Sequence, residues 1–187
     1  RPDFTERYGL RYEDVQRINP EIIYYVVSAF GEDGPARLKP AVDSVIQGLA
    51  GGFFASGEES DPPIRIGLPI VDVASGMCGA VGVLAAIMHW RQTGHGQRVE
   101  LSLIDTMFNF MASKVGEFFI EGRAPVREVN LPIAVPSRHF QGSDGDYFSV
   151  SIVNESAFRR FCQIIDRPQW IEDWRFAKNS ARIENRH

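Results

Sequence analysis

Ile22–Phe30 reads IIYYVVSAF. β-Branched and aromatic residues fill this run, and it keeps almost no polarity for a wet face. Such a segment fits a strand covered on both sides, as in a parallel sheet lying between helices. Its surroundings follow the alternation that this requires. Glu6–Asn19 places Leu10, Val15 and Ile18 at helical spacing, and Asn19-Pro20 stops the helix because the residue before proline avoids the α region. Gly31–Pro40 reads as a loop, Asp43–Ala50 as a short helix, GGFFASGEESDPP as a second loop, and Ile64–Ile70 as a short extended piece. A long helix is expected over Val73–Gln92, closed by Gly94, followed by an alternating strand at Arg98–Leu103. Leu103–Glu121 reads as one further long helix, and Gly122–Ser137 as a Pro-rich loop. His139–Gln141 and Asp146–Ile152 flank SDGD, a hairpin with Asp144-Gly145 at its turn, before an amphipathic helix at Ser156–Ile165 and a new segment from Pro168. Strands alternating with helices give an α/β class.

Composition narrows the function. Of 187 residues 44% are hydrophobic and 24% charged, with a formal net charge of −4 and no basic arm, so nucleic acid is not an expected partner. Cys78 and Cys162 form no CxxC pair, which fits a reducing, cytoplasmic setting. His89, His95, His139 and His187 lack HxxxH or HExxH spacing, so no metal site is expected. The apolar run Ala80–Trp90 is too short for a bilayer, and no membrane partner is expected. The chain opens on RPDFTERYG and stops at NRH within a helix-like pattern, as an excerpt of a longer polypeptide would.

Asp72 is the residue that raises a chemical question. It heads PIVDVASGMCGAVGVLAAI, where Ser75, Gly76, Gly79, Ala80 and Gly82 follow within three turns. Aspartate is a good N-cap, and the helix dipole favours negative charge there. An ordinary cap is the commoner use of such a residue. Each helical glycine costs about 1 kcal/mol relative to alanine, so something compensates: a closely packed neighbouring helix, or a ligand passing along that face. Gly94 and Gly96 bracket His95 in a turn that lacks the GxGxxG pattern of a dinucleotide site, and His95 reads as a solvated loop residue. Arg7, Lys39 and Asp43 form a polar set, and the two cations suit phosphate.

In order along the chain, INPEIIYYVVSAFGEDGP, LKPAVDSVIQGLAGG, PPIRIGLPIVD, TGHGQRVELSLID and RPQWIEDWRFAKNSARIENR resemble segments of the family III CoA-transferases, the formyl-CoA-transferase-like enzymes. The resemblance implies a large α/β domain with a Rossmann-like parallel sheet over residues 1–136 and the start of a smaller domain at 137–187. It implies an interlocked homodimer, with coenzyme A or acyl-CoA as substrate rather than as a permanent cofactor. It also implies that Asp72 is the catalytic nucleophile, passing through an aspartyl anhydride and an aspartyl-CoA thioester while CoA moves from an acyl-CoA donor to a carboxylic acid. Arg7, Lys39, Val42 and Leu103 fall where members contact CoA. N–H groups near Asp72 are expected to be available to a developing oxyanion. The racemase branch of the superfamily carries a histidine base at the place of Val42, which favours transfer here. An acyl-CoA racemase or isomerase and a non-catalytic CoA-binding module are the alternatives. Val135–Phe140 (VPSRHF) is a candidate for reaching the acid pocket, where Arg138 would pair a substrate carboxylate or remain a solvated charge.

Overall fold

The apolar strand finds a parallel partner. In the computed structural model, which describes residues 2–55, 57, 60–122, 124 and 134–185, β1 (Ile23–Ser28) runs beside β2 (Gln97–Ser102), in register from Ile23 opposite Gln97 to Ser28 opposite Ser102. A parallel pair needs a long crossover. Here it carries α3 (Asp43–Leu49), a 3₁₀ turn at Gly52–Phe54 and the long α4 (Ile70–Thr93). Before β1 lie α1 (Pro2–Tyr8) and α2 (Tyr12–Gln16), and after β2 lie α5 (Leu103–Phe110) and α6 (Ala112–Glu121). The chain divides into two compact units, Arg1–Arg127 and Glu128–His187.

In the first unit α4 lies against both strands, and glycine lets it come close. A Cβ on Gly79 would stand 2.3 Å from the Tyr25 hydroxyl, and one on Gly82 would stand 2.8 Å from Val99 Cγ1. A Cβ on Gly76 would meet nothing within 4 Å. Part of the small-residue stretch is therefore explained by packing, against a sheet rather than a helix, and part of it faces open space. The core of this unit joins Ile46, Ala50, Val71 and Met107. Gly94, at φ +71°, closes α4 by donating its N–H to Trp90 O at 2.7 Å. Gly96 lets two backbones meet, since its Cβ would lie 2.1 Å from Ile22 O.

Several expected elements differ. The N-terminal helix breaks at Gly9 (φ +62°), where Leu10 N–H turns back to Thr5 O. The second long helix breaks at Met111, whose ψ of 4° is not helical and whose side chain turns to the core. Ile64–Pro69 joins no strand. β1 is not covered on both faces: Tyr25 and Val27 are 38% and 44% exposed. α4 begins three residues before the expected Val73, and at 24 residues it is long and apolar enough to cross a membrane. Length and composition do not separate such a span from the sheet-packed helix of an α/β layer, which is how α4 is used here. Parts of both expected loops, residues 56, 58–59, 123 and 125–133, lie outside the described residues.

The second unit pairs β3 (Ser137–Gln141) with antiparallel β4 (Tyr147–Ser151) around the Asp144-Gly145 turn, with Gly145 at φ +88°. α7 (Glu155–Ile164) is capped by Asn154, whose Oδ1 accepts from Ala157 N–H at 2.8 Å. α8 (Asn179–Glu184) follows a 3₁₀ turn at Pro168–Ile171. Ile152, Phe158 and Cys162 form the core, with Trp170 and Phe176 against it. Burial pushes the Cys162 thiol up from its ordinary pKa, which keeps it protonated.

Candidate active site

The start of α4 is built by residues far away in sequence. Pro69 occupies the N-cap position and offers no side-chain acceptor. Asp43, the first residue of α3, does that work from 28 positions upstream: its Oδ2 accepts from Val71 N–H at 2.8 Å and from Asp72 N–H at 3.3 Å. Its Oδ1 accepts from Gln47 Nε2 at 2.6 Å. Gln47, fully buried, also donates to Leu68 O at 3.2 Å and accepts from Ile66 N–H at 3.1 Å. One carboxylate and one amide on successive turns of α3 thus hold the whole approach from Ile66 to Asp72. Asp43 is only 8% exposed. Its charge is met by hydrogen-bond donors and by two helix N-termini, an arrangement suited to a buried anion without a cation.

Asp72 is therefore not the N-cap. It sits in the third helical position, exposed, and its carboxylate has no hydrogen-bond or ion-pair partner among the described residues. The first-turn N–H groups expected to serve an oxyanion are engaged: Ile70 donates to Leu68 O, Val71 and Asp72 to Asp43, and Val73 to Pro69 O. One turn on, the hydroxyl of Ser75, 2% exposed, has no partner among the described residues, while Tyr25 Oη donates to Ser75 O at 3.5 Å. Early in α4, Ser75 O meets Tyr25 Oη within β1, and late in α4 Trp90 Nε1 donates to Glu21 just before β1 at 3.0 Å, so α4 runs against the strand direction. Asp72 thus lies toward the carboxyl ends of β1 and β2, the edge where open α/β sheets take their ligands.

The other sequence candidates separate into two groups. Val42, 64% exposed, immediately precedes Asp43, and Leu103 opens α5 and packs on the core that contains Ile46 and Val71. Both stand on elements that adjoin the start of α4. Arg7 lies in the last turn of α1 with its guanidinium 5.5 Å over the Tyr8 ring, and Lys39 lies exposed in the 31–40 loop. An Arg37–Glu6 pair at 3.9 Å ties that loop to α1. No hydrogen bond or ion pair joins Arg7 or Lys39 to Asp72 among the described residues. A nearby cleft of about 240 Å³, lined by Thr5, Glu6, Arg11, Glu32, Arg37 and Arg98, does not include Asp72. Its Arg98 is neutralised by Glu32 and Glu100. In the second unit the Arg138 guanidinium rests 5.8 Å over Phe140, and His139 Nδ1 lies 2.8 Å from Ser149 Oγ. Reading the sequence missed Asp43 and Gln47 as a pair acting on α4. Their i, i+4 spacing on α3 was the available signal.

Comparison with known proteins follows the same segments. The family described as CoA-transferase family III matches residues 1–187. A succinate–glutarate CoA-transferase of Agrobacterium fabrum is 30% identical over 98% of this chain and 46% of its own length. An acetyl-CoA:oxalate CoA-transferase of Acetobacter aceti is 32% identical over 99% of this chain and 48% of its own. A crystal structure of a CaiB/BaiF family protein from Brucella suis superposes with a TM-score of 0.80 at 31% identity, covering 98% of this chain and 49% of that one. The chain spans about half the length of the relatives it matches.

Proposed function

Since the chain belongs to CoA-transferase family III, we propose that it carries the nucleophile of an acyl-CoA:carboxylate CoA-transferase, and that this nucleophile is Asp72. The observation that carries the reading is the division of labour between two carboxylates. Asp43 caps α4 from α3, and Asp72, on the first turn of α4, is left exposed and without a partner among the described residues. An Asp72 carboxylate oxygen attacks the thioester carbonyl of the donor; the C–S bond breaks, and CoA leaves as thiolate from a mixed anhydride. The thiolate attacks the Asp72 acyl carbon, releases the donor's carboxylate and leaves an aspartyl-CoA thioester. An acceptor carboxylate displaces CoA in turn, and the returning thiolate takes the acceptor's acyl group and restores Asp72. No proton is gained or lost over the cycle, which suits a site with no acid–base partner at hand. Dividing one hard exchange into easier steps is the ordinary gain of covalent catalysis.

Gly76 and exposed Ala80, one and two turns beyond Asp72, leave room beside it for a thioester arm. Arg7 and Lys39 suit the phosphates of CoA, and Val42 and Leu103 its less polar portion. Val42 offers no base, so transfer is favoured over racemisation. The relatives' names make dicarboxylic acids and acetyl- or succinyl-CoA the first substrates to try. We place the protein in the cytoplasm as a homodimer. The test uses the full-length protein with acetyl-CoA, succinyl-CoA or glutaryl-CoA against oxalate, succinate and glutarate, read by mass spectrometry. Hydroxylamine is added to convert an aspartyl thioester or anhydride to a hydroxamate. The hydroxamate is expected at Asp72, and an Asp72→Ala protein with full activity would refute the assignment.

A further inference from the structure

We propose that Asp43 is a positioning residue for this reaction: it holds the backbone of Asp72 in place from another helix and keeps the capping role away from the Asp72 side chain. The proposal rests on the reading of Asp72 as nucleophile. Three observations lead to it. The N-cap position of α4 is a proline with no side-chain acceptor. The donors that a cap would satisfy, the N–H groups of the second and third helical residues, both go to Asp43 Oδ2, and the second of these is Asp72's own N–H. Asp43 is in turn fixed by Gln47, which also grips Leu68 O and Ile66 N–H, so the segment entering the helix cannot drift independently of α3.

The chemical consequence follows from what Asp72 would do otherwise. An acidic side chain in the first helical turn can fold back onto free N–H groups there; Pro69 at the N-cap has none to give, which leaves those of the first helical residues, Val71 and Asp72 among them. A carboxylate engaged in that way is poorly placed to attack a carbonyl carbon. Asp43 removes the competing donors and fixes the Cα from which the Asp72 side chain projects. Alignment of this kind governs the rate of a bound substrate's reaction more than its binding, and a misplacement of about 1 Å costs on the order of 10²-fold.

The experiment compares Asp72→Ala, Asp43→Ala and the double variant Asp43→Asn/Gln47→Glu in the full-length protein. Each is assayed well below its own melting temperature with whichever of the three CoA donors labels Asp72 in wild type. In the double variant an amide oxygen still accepts from Val71 and Asp72 and the bond between positions 43 and 47 is kept with its direction reversed, while the bond from position 47 to Leu68 O is given up. Asp43→Ala is expected to lower kcat and the rate of hydroxamate formation at Asp72 by about 10- to 100-fold, with KM for the donor within about twofold. The double variant is expected to recover most of that loss, a split and a rescue that a merely structural role would not produce. Asp43→Ala with wild-type kcat beside an inactive Asp72→Ala would overturn the positioning role alone. So would a double variant as slow as Asp43→Ala, because acceptors restored to the Val71 and Asp72 N–H groups would then do nothing for the rate. An active Asp72→Ala, or no labelling by any donor, would remove the premise as well.

Discussion

Each unit of this chain is organised around a buried polar group, and the two groups are of opposite sign. In the first unit it is an anion. Asp43 accepts two backbone N–H bonds and one from an amide, with no ion pair to a cation among the described residues. In the second unit it is a cation. Arg182, 2% exposed, donates from Nε to Val135 O, from Nη1 to Phe176 O and Glu155, and from Nη2 to Glu155, with its guanidinium 4.1 Å over the Phe158 ring. Both satisfy loop or helix-end backbone that regular structure leaves open. The difference lies in what is left over. Around Arg182 the carbonyls and the carboxylate brought close each accept from it, and its hydrogen bonds hold the Glu155 carboxylate below its ordinary pKa. Around Asp43 a second carboxylate, that of Asp72, remains exposed and without a partner among the described residues. A hub that closes on itself builds a fold, whereas a hub that leaves a reactive group idle beside it prepares a site.

The contrast is broken most directly by removing the idle group. Asp72→Ala is expected to lower transfer activity by at least about 10³-fold, the scale of losing a nucleophile, and to leave the melting temperature nearly unchanged, because its side chain supports nothing. A parallel loss of stability would mean that Asp72 shares the capping work. Next come the hubs themselves. Arg182→Ala strands two backbone carbonyls and empties a packed site, for an expected cost of about 3 kcal/mol, visible in denaturant unfolding. Asp43→Ala leaves two first-turn N–H groups without an acceptor, for about 2 kcal/mol. The sharpening lies in activity: at temperatures where both variants are folded, Asp43→Ala is slow and Arg182→Ala is not. A slow, folded Arg182→Ala would show that the second hub also serves the chemistry.

These two hubs were not equally visible in the sequence. The strand at Ile22–Phe30, the α4 helix, the SDGD hairpin and α7 could all be read because their signals are local: an apolar run, a helical period, a turn glycine. Breaks at Gly9 and Met111 escaped because periodicity runs on across them, and only backbone geometry stops it. Asp72 was noticed, but as a cap, because local rules assign capping to the nearest acceptor. Asp43 was seen only as one of a polar set, since nothing in residues 43–47 announces a bond to residues 66–72. The family resemblance points to Asp72 as the nucleophile proposed above, and in the fold that carboxylate has no partner among the described residues.

A smaller effect tests the second hub by pH. Glu155 titrates below the usual 4.5 in the folded chain, chiefly through its hydrogen bonds from Arg182. A depressed carboxylate adds stability above its unfolded pKa, and that stability is lost as pH falls through the folded value. Glu155→Gln should therefore be less stable than wild type near neutrality, and the two should converge in acid. Its side chain is half exposed, so the gap is expected to be modest and to shrink with salt. A gap that persisted unchanged at low pH would mean that the loss comes from altered hydrogen bonds or packing at position 155 rather than from the carboxylate's charge.

The smallest predicted change concerns the other end of α4, where capping is local. Gly94 closes the helix from a left-handed conformation that a Cβ disfavours by about 1 kcal/mol. No atom lies within 4 Å of where that Cβ would go, so Gly94→Ala meets strain but no clash. A loss of about 1 kcal/mol with wild-type kcat is expected from chemical unfolding and steady-state assays. The two ends of one helix would then respond in different currencies, Gly94 in stability alone and Asp43 in stability and rate. A Gly94→Ala protein slowed as much as Asp43→Ala would show that any loosening of α4 disturbs Asp72. The Asp43 bonds would then have no special claim on it.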